Sequence, residues 1–349
     1  MAVHFHKLKV KNIRHETQDC VSIAFDIPKE LAEDFKFKHG QSITLKAMIN
    51  KEEVRRSYSI CSAPFENELR VAVKKSGLFS TYINEQITAG DILDVLPPTG
   101  NFNTELDKTK RKNYLAIAAG SGITPILSII KTSMKTEAGS SFTLLYGNRS
   151  RNSIIFLEEL QGLKNCYVDR FNFINILSRE KTETAINSGR IDNKKLIELK
   201  KLLDYKNFDE FFICGPEEMI FCAKNFLEQE SIDKSKIHYE LFTLPGEKRK
   251  IISPIQKAEN PGQQNNIIVK ADGVSFGFNL ATDGMSILDA ALQQGADLPF
   301  ACKGGVCSSC KAKLVEGEVV MDANYSLEPD EVAQRLYFVA NHIQKQKKL

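Results

Sequence analysis

The chain has 349 residues, with 47 Lys and Arg against 44 Asp and Glu, a formal net charge of +3 and a pI near 8.3. That near-balance excludes the strong basic excess of a nucleic-acid binder, and no apolar run reaches the ~18 residues that a membrane span needs. The length suits two or three domains; Met1-Ala2-Val3-His4-Phe5-His6-Lys7 carries no secretory apolar core, so a cytoplasmic protein with reduced thiols is expected.

Residues 1–105 read as short β-rich runs at 5–10, 21–27, 42–47, 55–60, 69–73 and 92–95. Turn residues such as His39-Gly40 and Pro97-Pro98-Thr99-Gly100 separate them, and such regular spacing predicts a closed antiparallel barrel. In Arg55-Arg56-Ser57-Tyr58-Ser59-Ile60 the strand period puts Arg56 and Tyr58 on one face, Ser57 and Ser59 on the other. A guanidinium beside an aromatic ring suits a ligand with phosphate and a flat ring system; an ordinary exposed strand is the alternative. Lys75-Ser76-Gly77-Leu78-Phe79-Ser80-Thr81 reads as a glycine turn into a helix. Its N-terminus could take a pyrophosphate or be a plain N-cap.

Residues 106–245 alternate strands and helices. A buried parallel-type strand at 113–120 runs into Gly120-Ser121-Gly122-Ile123-Thr124-Pro125 and a helix to Met134. Glycines at a strand-to-helix turn bring backbone close to a phosphate, and Pro suits the first helical turn. Strands are then expected at 142–146, 167–177, 210–214 and 236–242, and helices at 155–163, 193–203 and 217–230. The pattern predicts an open α/β sheet with its ligand crevice at the strand C-terminal ends. The Pro-, Gly- and Asn-bearing stretch 246–265 reads as a linker.

Residues 266–349 hold a hairpin around Asp272-Gly273, a Ser286-capped helix and then three thiols. Cys302, Cys307 and Cys310 stand in a C-x4-C-x2-C run with Gly304 and Gly305, the plant-type [2Fe–2S] spacing. Zinc sites favour C-x2-C pairs, and a disulfide has no following partner. Such a cluster takes four thiolates. Cys20, Cys61, Cys166, Cys214 and Cys222 all lie upstream, and about 29 residues on, where the fourth thiol is expected, stands Ala340.

In this order the segments resemble the ferredoxin–NADP reductase superfamily with a C-terminal plant-type ferredoxin domain. The likeness covers the chain to about residue 336, and Pro98-Thr99-Gly100-Asn101-Phe102 matches the P-x-G-x-F that closes its flavin domain. It implies a multidomain fold: an antiparallel β-barrel for flavin, an open parallel α/β sheet for nicotinamide and an α+β β-grasp ferredoxin. It implies FAD, with Arg56 on its pyrophosphate, Tyr58 stacked on the isoalloxazine, and Ser57 and Ser59 beside them. Ser59 would approach the reactive nitrogen, and Val73, Lys74, Gly77, Phe79, Ser80 and Thr81 would line the phosphates. Gly120, Gly122, Thr124 and Pro125 would hold the nicotinamide coenzyme. Arg149, Ser150 and Arg151 would sit at a 2′-phosphate, which favours NADPH and leaves NADH open. Cys214, Gly215 and Pro216 would lie beside the nicotinamide, and Glu240 would relay or position a proton; a buried thiol and a solvated carboxylate are the plain alternatives.

The domain order matches reductases that feed oxygenases. Residues 146–160 and 317–332 are most similar to the reductase subunits of phenylacetyl-CoA ring-1,2-epoxidases. The likeness implies electrons passing from NADPH through FAD and [2Fe–2S] to a diiron oxygenase, without nucleic acid or membrane. The reductase of another oxygenase, or a cluster-less flavoprotein serving as an interaction subunit, are the alternatives. The tail is expected to be aberrant. Val339-Ala340-Asn341-His342-Ile343-Gln344 stands where relatives carry L-T-C-Q-S-H-P, and one back-translation, read in another frame, yields C-Q-S-H-P. A frame slip or a natural substitution explains it; His342 or water would then substitute at iron, or the cluster would be labile or absent.

Overall fold

The computed structural model describes residues 4–242, 264–281, 285–321 and 323–343, and leaves the side chains of Gln264 and residues 341–343 out. Nearly all of the expected linker and the last residues of the tail lie outside the described residues.

Six strands form one antiparallel sheet: β1 (His6–Thr17), β2 (Cys20–Asp26), β3 (Ser42–Ile49), β4 (Glu52–Ser59), β5 (Leu69–Lys74) and β6 (Ile92–Val95). Their order is β4-β3-β6-β1-β2-β5. A bridge from Ile60 to Val71 returns the end of β4 to β5 and curls the sheet on itself. Alternation turns Leu8, Val10, Ile23, Ile43, Leu45, Val71 and Val73 inward, all fully buried. β1 continues well past the expected run because its polar second half still pairs with β2, with register shifts after Val10 and His15. α1 (Leu78–Gln86) packs Phe79 and Ile83 into this core.

The second sheet is all parallel: β7 (Asn113–Ala119), β8 (Ser141–Asn148), β9 (Phe171–Leu177), β10 (Glu210–Cys214) and β11 (Ile237–Glu240), in the order β11-β10-β7-β8-β9. α2 (Ile123–Thr136), α3 (Leu157–Cys166), α4 (Asn193–Leu199) and α5 (Glu217–Gln229) complete this unit. β7 is buried from Tyr114 to Ala118, which is why it reads as a continuous apolar run. Several expected bounds shift; the strand expected at 236–242 runs only from Ile237 to Glu240, and the one expected at 142–146 extends over Ser141–Asn148. Residues 167–170 form a turn rather than strand, with the Tyr167 N–H donating to Leu163 O and the Phe171 N–H to Tyr167 O. The helix from Asn193 stops at Leu199, whose carbonyl accepts from the N–H groups of Leu202 and Leu203. Ile155 and Phe156 are buried core before α3, and Phe156 is left-handed (φ 61°).

The sheet orders place β10 and β8 on opposite sides of β7, so the strand order reverses there and a crevice opens at the strand ends. α2 also ties this unit to the barrel. Ser128 Oγ donates to Ser62 O at 2.6 Å, and Lys131 pairs with Glu66 at 3.1 Å. Phe102, from the closing motif, meets Phe212 of β10 edge to face at 5.7 Å.

The C-terminal unit starts with the hairpin β12 (Gln264–Ala271) and β13 (Val274–Ala281). Asp272 and Gly273 both take positive φ, 51° and 78°, as a tight two-residue hairpin turn requires. α6 (Ile287–Gln293) is capped by Ser286 Oγ, which accepts from the Asp289 N–H at 3.1 Å. β14 (Lys311–Lys313), shorter than the expected strand, pairs with β16 (Leu336–Phe338) across α7 (Pro329–Ala333), and β15 (Val320–Met321) pairs with β17 (His342–Ile343). This unit lies against the barrel. The Arg55 guanidinium stacks between Phe5 (4.9 Å) and Phe300 (4.0 Å) and donates to Leu298 O at 3.2 Å. Asn101 Nδ2 donates to Glu331 Oε2 at 2.6 Å.

Candidate flavin, nicotinamide and cluster site

The two barrel segments singled out in the sequence meet. Tyr58 of β4 and Phe79 of α1 stack with ring centroids 6.1 Å apart. Arg56 is exposed and its Nη1 reaches only the neighbouring Arg55 O, at 2.7 Å. Ser57 Oγ is bonded to Thr44 Oγ1 at 2.9 Å. In the glycine turn, Ser80 Oγ accepts from the N–H groups of Ser76 (2.8 Å) and Gly77 (2.9 Å) and donates to Gly77 O. Its hydroxyl is occupied in closing the turn, so it holds the loop rather than facing a ligand. The Val73 and Phe79 side chains are in the barrel core, and Val73 O accepts from Asn84 Nδ2 at 2.9 Å. Lys74 and Thr81 are half-buried at the rim, and Lys74 Nζ lies 3.6 Å from Asp19.

The turn after β7 is tighter. Gly120 is left-handed (φ 54°), and a Cβ there would point at Lys74 Nζ, 3.9 Å away. A Cβ on Gly122 would lie 2.1 Å from Cys214 O, so only glycine lets α2 start against β10. Gly215 is less confined: a Cβ there would meet the flexible end of Met219 at 2.7 Å and the Ala119 N at 3.1 Å. Thr124 Oγ1 donates to Ser121 O at 3.0 Å, and Pro125 is buried in the first turn of α2. Pro216 is the N-cap residue of α5. On the far side of the crevice, Arg149 and Arg151 are exposed and Ser150 half-buried. The Arg151 N–H donates to Glu180 Oε2 at 2.7 Å.

Barrel and sheet meet at one carboxyl. Ser59 Oγ, at the end of β4, donates to Glu240 Oε2 at 3.0 Å, at the end of β11. Register pairing sets Glu240 beside Cys214, whose thiol is fully buried and pushed well above the ordinary range by that burial. Burial also raises Glu240, from 4.5 to about 7, against the Ser59 hydrogen bond; the nearby Cys307 thiol adds to the rise. The carboxyl is therefore poised to hold or release a proton near neutrality.

The cysteine loop abuts the same place. Val306 is buried in the parallel-sheet core, and Ser309 Oγ is 3.1 Å from Thr44 Oγ1. Lys303, Gly305 and Ser308 take positive φ, curling the loop. Cys302 and Cys307 stand together. The Cys302 N–H donates to Cys307 Sγ at 3.5 Å, and the neighbouring Cys302 thiol holds Cys307 below the usual thiol range. Cys310 lies with Ala340 in the buried C-terminal core, where burial pushes its thiol up to about 12. Among the described residues, no three His, Cys, Asp or Glu side chains converge as for a single metal ion.

Three family models match the chain in sequence: an oxidoreductase FAD-binding domain over residues 7–104, an oxidoreductase NAD-binding domain over 116–225, and a 2Fe-2S iron-sulfur cluster binding domain over 269–340. The chain is 45% identical over 332 residues to a 1,2-phenylacetyl-CoA epoxidase subunit of Escherichia coli (strain K12), covering 94% of this chain and 92% of that one. It belongs to the ferredoxin–NADP reductase superfamily, with a C-terminal ferredoxin domain. The 3-ketosteroid-9-alpha-monooxygenase ferredoxin reductase component of Rhodococcus rhodochrous is 31% identical, over 93% of this chain and 90% of its own. In fold, the reductase resembles an intact type IV self-sufficient cytochrome P450 monooxygenase, with a TM-score of 0.70 at 20% identity, over 97% of this chain and 40% of that larger one. A ferredoxin NADP+ reductase from Neisseria gonorrhoeae, bound to FAD and NADP, matches 67% of the chain and 98% of its own with a TM-score of 0.57 at 22% identity.

The reductase is thus an oxidoreductase whose domains serve FAD, a nicotinamide coenzyme and a [2Fe–2S] cluster. Its own residues fit the first two: an accessible Arg56 cation and an aromatic Tyr58 surface, and an open left-handed turn at Gly120, where a Cβ would meet nothing closer than Lys74 Nζ at 3.9 Å, backed by Gly122 packed on Cys214 O. For the cluster, three thiols fit and the fourth position does not. Thr44, Arg55 and Asn101 were not singled out in the sequence as groups that seat the ferredoxin domain, because each meets a partner more than 200 residues away. The only hint in the sequence was an unexplained second arginine beside Arg56.

Proposed function

We propose that this reductase is the electron-entry component of a multicomponent oxygenase, drawing on NADPH and serving a diiron oxygenase that acts on an aromatic CoA thioester, phenylacetyl-CoA first among them. The observation that carries it is the Ser59–Glu240 contact, which joins the flavin strand to the crevice of the nicotinamide sheet, in a chain 45% identical to an epoxidase subunit. Bound flavin accepts a hydride and can release its electrons singly, a conversion that nicotinamide cannot make.

The chain's residues hold and orient. Arg56 neutralises the flavin pyrophosphate, with Lys74, Gly77 and Thr81 along the phosphates. Tyr58 supports the ring, and Ser59 and Glu240 hold a proton near its reactive edge. Gly120, Gly122, Thr124 and Pro125 seat the coenzyme pyrophosphate at the start of α2. Arg149, Ser150 and Arg151 receive a 2′-phosphate, and Cys214, Gly215 and Pro216 pack beside the nicotinamide. We place the protein in the cytoplasm, where its thiols stay reduced; no described helix is long and apolar enough to cross a membrane.

Purified protein mixed with the oxygenase subunits of a phenylacetyl-CoA epoxidase tests the reading. NADPH oxidation should rise on adding phenylacetyl-CoA and match product formed. A yellow, NADPH-oxidising protein that never couples to that oxygenase would move the function to another one, and a colourless protein would end it.

A further inference from the structure

The described fold divides the cluster loop into two unequal halves. Cys302 and Cys307 stand side by side, each sulfur accepting from a loop N–H: Cys302 N to Cys307 at 3.5 Å, and Gly304 N to Cys302 at 3.3 Å. Cys310 stands with Ala340 instead. The Val339 N–H donates to Cys310 O at 3.1 Å, and Ala340 is 8% exposed in the same apolar cluster as Cys310. Besides Cys310, the buried residues of that cluster are Leu288, Leu298, Leu327, Phe338 and alanines, none of which can donate to iron, and Met321 packs against them as a partly buried neighbour. The nearest hydroxyls are engaged elsewhere, Ser309 with Thr44 and Ser308 with Ser326.

A [2Fe–2S] centre spreads four protein ligands over two irons. We propose that the deficit in this chain is confined to the iron on the Cys310 side: Cys302 and Cys307 complete one iron, and the other meets a single thiolate opposite a buried methyl. The cluster is therefore extractable as the wild-type chain stands, and a sulfur at position 340 alone repairs it. The inference rests on the reductase reading, but flavin and nicotinamide chemistry lies upstream of it and should be untouched.

The test compares the full-length wild type with A340C, A340S and H342A. Each is reconstituted anaerobically with ferrous iron and sulfide, desalted and challenged with EDTA. Iron and sulfide per chain, the visible circular dichroism of the centre, flavin content and NADPH–ferricyanide activity are read. A340C should keep two irons and two sulfides per chain. Wild type, A340S and H342A should lose iron faster by about tenfold or more, since even outer-shell changes at metal sites cost that much. Flavin content and ferricyanide turnover should be alike in all four. Wild type that keeps two irons as stubbornly as A340C overturns the proposal; so does iron kept by wild type and lost from H342A, which would make His342 the fourth ligand. Should A340C fail to fold, as its flavin content would report, wild-type retention still decides. Lack of flavin in the wild type would sink the reductase reading separately, while iron per chain would still score this one.

Discussion

Around Glu240 polar groups answer one another across the fold, with Ser59 arriving from the barrel and Cys214 from the next strand. Around Cys310, in the C-terminal unit of the same protein, the buried neighbours are leucine, phenylalanine and alanine. The first region brings a carboxyl, a hydroxyl and a thiol together from two units of the chain. The second has the backbone geometry of a cluster site and lacks one donor atom. A fold can therefore preserve the shape of a cofactor site after the ligand chemistry has gone, because shape is held by packing and many hydrogen bonds, whereas ligation depends on single atoms.

The contrast yields four expectations. The largest concerns Gly122→Val. Its Cβ would enter the space of Cys214 O, and both are backbone-confined, so overpacking of about 3 kcal/mol or more is expected. Urea unfolding should show it, and NADPH-dependent flavin reduction should be lost; an unchanged midpoint would mean that the turn yields more easily than its glycines suggest.

Next is the pH response of Glu240. Its carboxyl ionises at about 7 in the fold against 4.5 when unfolded. The unfolded chain gives up its proton first, so stability falls as pH rises from 4.5 to about 7 and then levels off. The loss is at most about 3 kcal/mol. Glu240→Gln should flatten that slope in the flavin-free protein, as followed by chemical denaturation at a series of pH values. In the holoenzyme it should remove an inflection near neutrality from the rate of flavin reduction.

A smaller effect is expected at the seat of the ferredoxin domain. Arg55→Ala removes the stack on Phe300 and the bond to Leu298 O, worth about 1–2 kcal/mol. Small-angle scattering should then give a larger radius of gyration with flavin content unchanged. Asn101→Ala removes the bond to Glu331, for about 1 kcal/mol, and should produce the same expansion more weakly.

Much of this architecture was legible in the chain because it rests on local patterns. The alternation in β3 and β5, the apolar run of β7 and the Asp272-Gly273 turn each read directly as the element they form. Boundaries slipped where hairpin pairing overrode pattern, as in the polar half of β1, which pairs with the adjacent β2, or where apolar residues served the core without forming an element, as at Ile155 and Phe156. Site residues divided in the same way. Glycines that admit close backbone approach announce themselves by type, and Gly122 is one. Ser80 looked like a phosphate donor and is instead bound up in its own turn, a choice that hydrogen bonding inside the loop makes and that no motif reveals.

Spacing, turn chemistry and residue type alone therefore determined the three-part order and the absence of a cysteine after Cys310, since each depends only on neighbours in the chain; flavin and nicotinamide came from the family resemblance that those motifs carry. Only the tertiary structure could decide that Ser59 finds Glu240, that Arg55 grips the ferredoxin domain, and that Ala340 sits beside Cys310 rather than beside Cys302 and Cys307. Those contacts join residues far apart in the chain or choose among several thiols, and they exist only once packing has brought the surfaces together.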